Sequence, residues 1–186
     1  MEELYKNYKQ MLIGLDDTFT FKCRGCGKCC KNREDIILTT RDLYNIAKKF
    51  EITMEEAINR YAETYIGSSS RIPIVRLVPR GPANACPLLK DKRCLVHDCK
   101  PVVCALFPLG RVGIPEEDAS PDDPMKAQYI LQPIECGSQK RTRTVRQWLE
   151  QYNIPVEDSF YAAWNKALAF FPQFIHNLED KKKVSE

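Results

Sequence analysis

The chain has 186 residues, 44% of them hydrophobic and 28% charged, enough apolar side chain to bury a core and too much for a disordered polymer. Its 28 Lys and Arg against 25 Asp and Glu leave a net charge of only +3, and no aromatic residues interleave with the cations, which argues against a nucleic-acid binder. Residues 1–15 lack the apolar stretch of a secretory signal and no run reaches the ~18 apolar residues of a membrane helix, so the expectation is a cytoplasmic chain that contacts neither nucleic acid nor membrane.

Taken in order, Leu4, Tyr8, Met11 and Leu12 recur at helical spacing and predict a short amphipathic helix over 1–13. A cysteine loop follows over 21–33. Residues 36–38 read as a brief extended piece, and Thr40 as the cap of a helix with the apolar face Leu43, Tyr44, Ile46, Ala47 and Phe50. Thr53 and Glu56 have the form of a capping box, and Ala57, Ile58, Tyr61 and Tyr65 predict a second helix that runs to the Gly- and Ser-rich stop at 67–70.

Residues 72–78 read as a strand with 129–134 as its partner, and a second cysteine region, 86–104, lies between them. Residues 144–152 and 157–178 predict helices, the later one kinked or broken at Pro172, with a frayed tail from Glu179. That helix carries Phe160, Tyr161, Trp164, Leu168, Phe170, Phe171 and Phe174. Core packing is the default for such a segment, and a partner-binding helix the sharper alternative. Together the pattern predicts one helix-rich α+β domain over 1–186 with a small sheet, a cysteine region at about 20–150 and a helical part at about 142–180.

Nine cysteines in a reducing compartment read as metal ligands or redox groups before disulfides. Cys23, Cys26, Cys29 and Cys30 form a CxxCxxCC run, and two intervening residues let a loop turn back and present both sulfurs to one metal. A third cysteine at the same interval is like the opening of a bacterial ferredoxin run. Gly25 and Gly27 allow backbone N–H groups to approach the sulfurs. Lys22, Arg24, Lys28, Lys31 and Arg33 flank the run and offset thiolate charge.

Cys29 and Cys30 are neighbours whose side chains diverge in an extended segment, which leaves one of them for a second site. Cys86, Cys94, Cys104 and Cys136 complete a set of eight, enough for two sites of four thiolates. Cys99 is left over as a small buried hydrophobe, His97 reads as a surface residue and His176 as an ordinary helix residue. Tetrahedral thiolate sites accept zinc or iron alike. The crowding of the first run, with no separate later CxxC, favours one or two 4Fe-4S clusters over zinc.

The CxxCxxCC opening, the segment Asp35-Ile36-Ile37-Leu38-Thr39-Thr40-Arg41-Asp42-Leu43, the block Cys86-Pro87-Leu88-Leu89 with Cys94, and Lys100-Pro101-Val102-Val103-Cys104 with Phe107-Pro108 resemble the YkgJ-type cysteine-cluster family. That family is described as a zinc- or iron-chelating domain. The resemblance covers about residues 20–150, with Cys136 in place of the family's late cysteine. Cys99 stands where an arginine is more usual, and Gly137 follows Cys136 where a proline is expected.

No GxGxxG, P-loop, HExxH or GxSxG is present, so no catalytic residue and no small-molecule substrate is assigned. The leading expectation is an iron-sulfur protein that transfers electrons or assembles or activates a metalloenzyme as a subunit of a larger complex. The alternatives are a zinc-stabilised interaction module and a protein-modifying methyltransferase, the latter implied by the similar cysteine domain of flagellin lysine methylases.

Overall fold

The computed structural model describes residues 10–68, 70–114, 126–133 and 137–184. In chain order these hold β1 (Leu12–Ile13), β2 (Thr18–Lys22), a 3-10 turn (Lys28–Cys30), α1 (Thr40–Phe50), α2 (Met54–Tyr61), β3 (Ala62–Ile66), β4 (Pro73–Leu77), β5 (Leu89–Lys90) and β6 (Arg93–Cys94). There follow α3 (Val102–Leu106), β7 (Leu109–Ile114), β8 (Lys126–Leu131), β9 (Ser138–Thr144), α4 (Val145–Gln151) and α5 (Ser159–Val184). Among the described residues this is an α+β fold of small antiparallel sheets: β1-β8-β7, β2-β9, β3-β4 and β5-β6.

Local chemistry sets the helix starts. Thr39, not Thr40, caps α1: its Oγ1 accepts from the Asp42 N–H at 3.1 Å while the Asp42 carboxylate accepts from the Thr39 N–H at 2.9 Å. Thr53 with Glu56 and Thr144 with Gln147 repeat the reciprocal arrangement at α2 and α4. The predicted α2 stripe overruns its end, because the chain turns extended at Ala62 and pairs Ala62–Ile66 with Leu77–Pro73. Thr64, Tyr65 and Ile66 fit a pleated strand better than a helix.

The expected pairing of 72–78 with 129–134 is therefore replaced. β4 takes β3 on one side and the extended 36–38 piece on the other, through Leu38 N–H to Val75 C=O at 2.9 Å and Leu77 N–H to Ile36 C=O at 3.0 Å. β8 instead pairs with β1 and β7; residues 134–136 lie outside the described part. Of the predicted helix over 1–13, residues 1–9 also lie outside, and Leu12 and Ile13 form β1 opposite Ile130 and Tyr129.

Two apolar clusters result. The first gathers Ile36, Leu38, Leu43, Ile46, Ala47, Ala57, Leu77, Leu88 and Val96. The second gathers Phe19, Phe21, Leu106, Leu109, Tyr129, Val145, Trp148 and Leu149. The short α3 serves both: Val103 and Cys104 pack on the first, Val102 and Leu106 on the second.

α5 runs unbroken through Pro172 to Val184, beyond the expected fraying point. Its start is held by Arg41, which binds the Asp158 carboxylate at 2.7 and 3.1 Å and lies 4.1 Å over the Phe160 ring. Arg71 reaches Glu179 at 3.7 Å near its far end. Between them Leu168, Phe170, Phe171, Phe174 and Leu178 are exposed, so the aromatic helix is not core. No helix among the described residues is long and apolar enough to cross a membrane.

Candidate metal centre

β2 delivers the chain into the first cysteine run, and its partner β9 arrives with Ser138 opposite Lys22. Gly25 and Gly27 adopt φ of 64° and 70°, a left-handed backbone that glycine takes without strain, and each folds the loop back. The Gly25 N–H donates to the Cys23 Sγ at 3.3 Å. After Gly27 the chain closes a 3-10 turn, with the Cys30 N–H on the Gly27 carbonyl at 3.1 Å. This turn corrects the expected divergence of the adjacent cysteines: their Sγ atoms lie 3.9 Å apart.

The second cysteine region is stitched to that turn by backbone. The Cys86 N–H donates to the Cys30 carbonyl at 2.7 Å, and Asn32 N–H to Asn84 C=O at 2.8 Å. The β5–β6 hairpin then sets Cys94 opposite Leu89. α3 places Cys104, and the Trp148 indole N–H holds the far end of that helix through the Ala105 and Leu106 carbonyls at 3.2 and 3.0 Å.

Cys23, Cys29, Cys30, Cys86, Cys94 and Cys104 thus line one cavity of about 390 Å3, walled by Ile36, Leu77, Leu88, Val96 and Phe107. Arg33, Lys92, Arg93, His97 and Lys100 also border it. Cys26 is exposed on its loop and stands off the wall. Cys99 lies apart, with its Sγ 3.9 Å from the Asn45 carbonyl. Cys136 falls outside the described residues, although the next residue, Gly137, sits against Phe21 and Lys22. Among the described residues no group of three or more Cys, His, Asp or Glu side chains closes tightly enough to hold one ion; the thiols surround a space.

Their protons report the crowding. The hydrogen bond from Cys30 lowers the Cys29 thiol to about 6, against the opposing effect of burial and with help from the charges of Lys100 and Arg33. Cys30 keeps the shared proton and moves up, raised also by burial and by Cys86 and Cys104. Burial pushes Cys104 up to about 12, and Cys86, Cys94 and Cys29 add to the shift. Burial likewise raises Cys86. These thiols resist ionising together, and a cation among them removes that resistance, so binding releases protons. A donor set of soft sulfurs, with no carboxylate on the wall among the described residues, fits zinc or iron-sulfur and suits neither calcium nor magnesium.

The model of the CxxCxxCC family, "Putative zinc- or iron-chelating domain", matches residues 22–137. The chain belongs to the CxxCxxCC family. As a member it is a metal-binding protein with a cysteine cluster, and the matched span of this CxxCxxCC domain holds all eight cysteines read from the sequence as ligands. No curated protein and no solved structure matches the chain.

Sequence reasoning missed Lys92, Arg93 and Lys100 as neighbours of the cavity, and it missed Asp42, whose carboxylate accepts from the Val102 N–H two residues before Cys104. The cations carry no spacing that marks them. Asp42 does: Thr39 and Asp42 form a capping-box pattern that was legible beside the one at Thr53.

Proposed function

We propose that the cavity of this CxxCxxCC domain holds an iron-sulfur cluster, and that the protein serves electron transfer or metalloenzyme assembly beside a protein partner in the cytoplasm. The observation that supports this is the number of thiols in one place. Six cysteines stand on the wall of one cavity of about 390 Å3, two more than the four thiolates that complete a zinc site. When bound, a cluster supplies one-electron chemistry. The chain's own residues do the rest: the Gly25 N–H donates to the Cys23 sulfur, the charges of Lys100 and Arg33 favour the Cys29 thiolate, Lys92 and Arg93 border the same cavity, and the apolar wall limits water.

One observation favours zinc. The 3.9 Å separation of the Cys29 and Cys30 sulfurs is close to the edge of about 3.8 Å that a tetrahedron with 2.3 Å Zn–S bonds requires.

Anaerobic purification followed by metal and acid-labile sulfide analysis separates the two. For one cluster on four thiolates we expect about four iron and four sulfide per chain, with a visible absorption that dithionite bleaches. A colourless protein with zinc and no sulfide overturns the cluster and leaves a metal-stabilised interaction module.

A further inference from the structure

The Asp42 carboxylate is buried, at 4% exposure, and it is divided between two jobs. Its Oδ2 accepts from the Thr39 N–H at 2.9 Å and the Thr39 hydroxyl at 2.8 Å, completing the α1 cap. Its Oδ1 accepts from the Val102 N–H at 2.9 Å, sixty positions away in the chain. That second bond matters because α3 has no cap of its own. It is five residues long, preceded by Pro101, and no side chain of its own segment bonds its first N–H groups. The Cys104 N–H and the Ala105 N–H both fall on the Pro101 carbonyl at 2.9 Å, which leaves the Val102 N–H to Asp42.

We propose that Asp42 is a positioning residue for the metal centre, acting through Cys104: it caps α3 from a neighbouring helix and so fixes the thiol on the cavity wall. The inference rests on the metal-binding reading. The capping box of α1 needs only one acceptor oxygen at this third helical position, which a neutral amide supplies as well, as Gln147 does at α4. Burying a full carboxylate is costly unless every lone pair is used, and here the extra acceptor is spent on the backbone two residues before a ligand. Supports of this kind, one step removed from the metal, set ligand orientation and typically change metal affinity ten- to a hundredfold when removed, roughly.

The test uses the full chain, anaerobic and reduced, with Co2+ alone as the probe, read by its thiolate charge-transfer absorption. In Asp42→Asn one oxygen and two N–H donors replace two acceptors, so it cannot serve both helices. We expect affinity to drop by about tenfold, with less charge-transfer intensity at saturation because one sulfur is displaced. Val102→Pro deletes the donor at a first helical position where proline is tolerated, keeps an apolar side chain against the second cluster, and leaves the α1 cap intact. It should reproduce the spectral change even where Asp42→Asn unfolds. In a Cys104→Ser background neither change should matter further.

Wild-type-like affinity and spectrum in both variants would sink the inference. So would an effect of the same size with and without Cys104, which would mark Asp42 as a fold residue only. Failure of the wild-type chain to take Co2+, zinc or iron is a different result, because it overturns the metal reading itself.

Discussion

Asp158 shows how one carboxylate can be both shielded and ionised. Its side chain is only 8% exposed under Arg41. Burial pushes its pKa up, yet the Arg41 hydrogen bonds and the Tyr161 N–H outweigh that and hold it below the ordinary carboxylate range. The folded value is thus lower than the unfolded one. The stabilisation is present above the unfolded pKa of about 4 and is lost as pH falls through the folded value. Asp158→Asn should cost about 0.5–1 kcal/mol at neutral pH, modest because Arg41 is partly in water, and progressively less as the pH falls below about 4. Urea unfolding of both proteins at neutral and acid pH measures it. A difference that grows on acidification would contradict the assignment.

At the scale of elements, what could be read in advance was what is local. Thr53 with Glu56 sets its own helix start within four residues, and the 36–38 piece and α1 follow from adjacent pattern. The β2–β9 ladder joins Thr18 to Thr144 and Lys22 to Ser138, and no short window contains both partners. β3 was missed for a related reason: Tyr65 continues a helical stripe, and only its pairing with Ile74 shows that the strand wins. The cysteine turn behaved likewise. The spacing of Cys23, Cys26 and Cys29 signals a metal loop, but the approach of Cys29 to Cys30 depends on the 3-10 turn after Gly27.

Gly137 makes the non-local dependence measurable. Its φ is +84°, and a Cβ there would collide with the Phe21 ring and lie 3.1 Å from the Lys22 carbonyl. Gly137→Ala would combine a left-handed alanine with overpacking against β2, and we expect a loss of about 1–3 kcal/mol in chemical unfolding. The damage should spread to the first cysteine run, since Lys22 immediately precedes Cys23. If the variant unfolds like the parent, β9 does not hold β2 in the way the packing implies.

Over the whole molecule, the metal region is built unevenly on two supports. The second apolar cluster is closed by residues far apart in the chain and by rings in edge contact, with Phe19 and Phe21 each within 5.7 Å of Trp148. The first contains Leu88 and Val96, and Cys86, Cys94, Cys99 and Cys104 pack against it. Leu88 and Val96 come from a segment whose regular structure is two strands of two residues each, β5 and β6. Such a segment has little backbone ladder to keep it in place, so metal bound among its thiols would contribute directly to its order. Chelation under reducing conditions should therefore act locally. The amides of Leu89, Leu95 and Cys99, bonded to the Cys86, Leu88 and Val96 carbonyls, should lose at least about tenfold in hydrogen-exchange protection, while Trp148 and Leu149 keep theirs. Equal loss in both regions would mean that the two clusters fold as one unit and that the metal stabilises all of it. No loss anywhere would mean that the cavity is held open by packing alone, and metal would then be cargo rather than part of the fold.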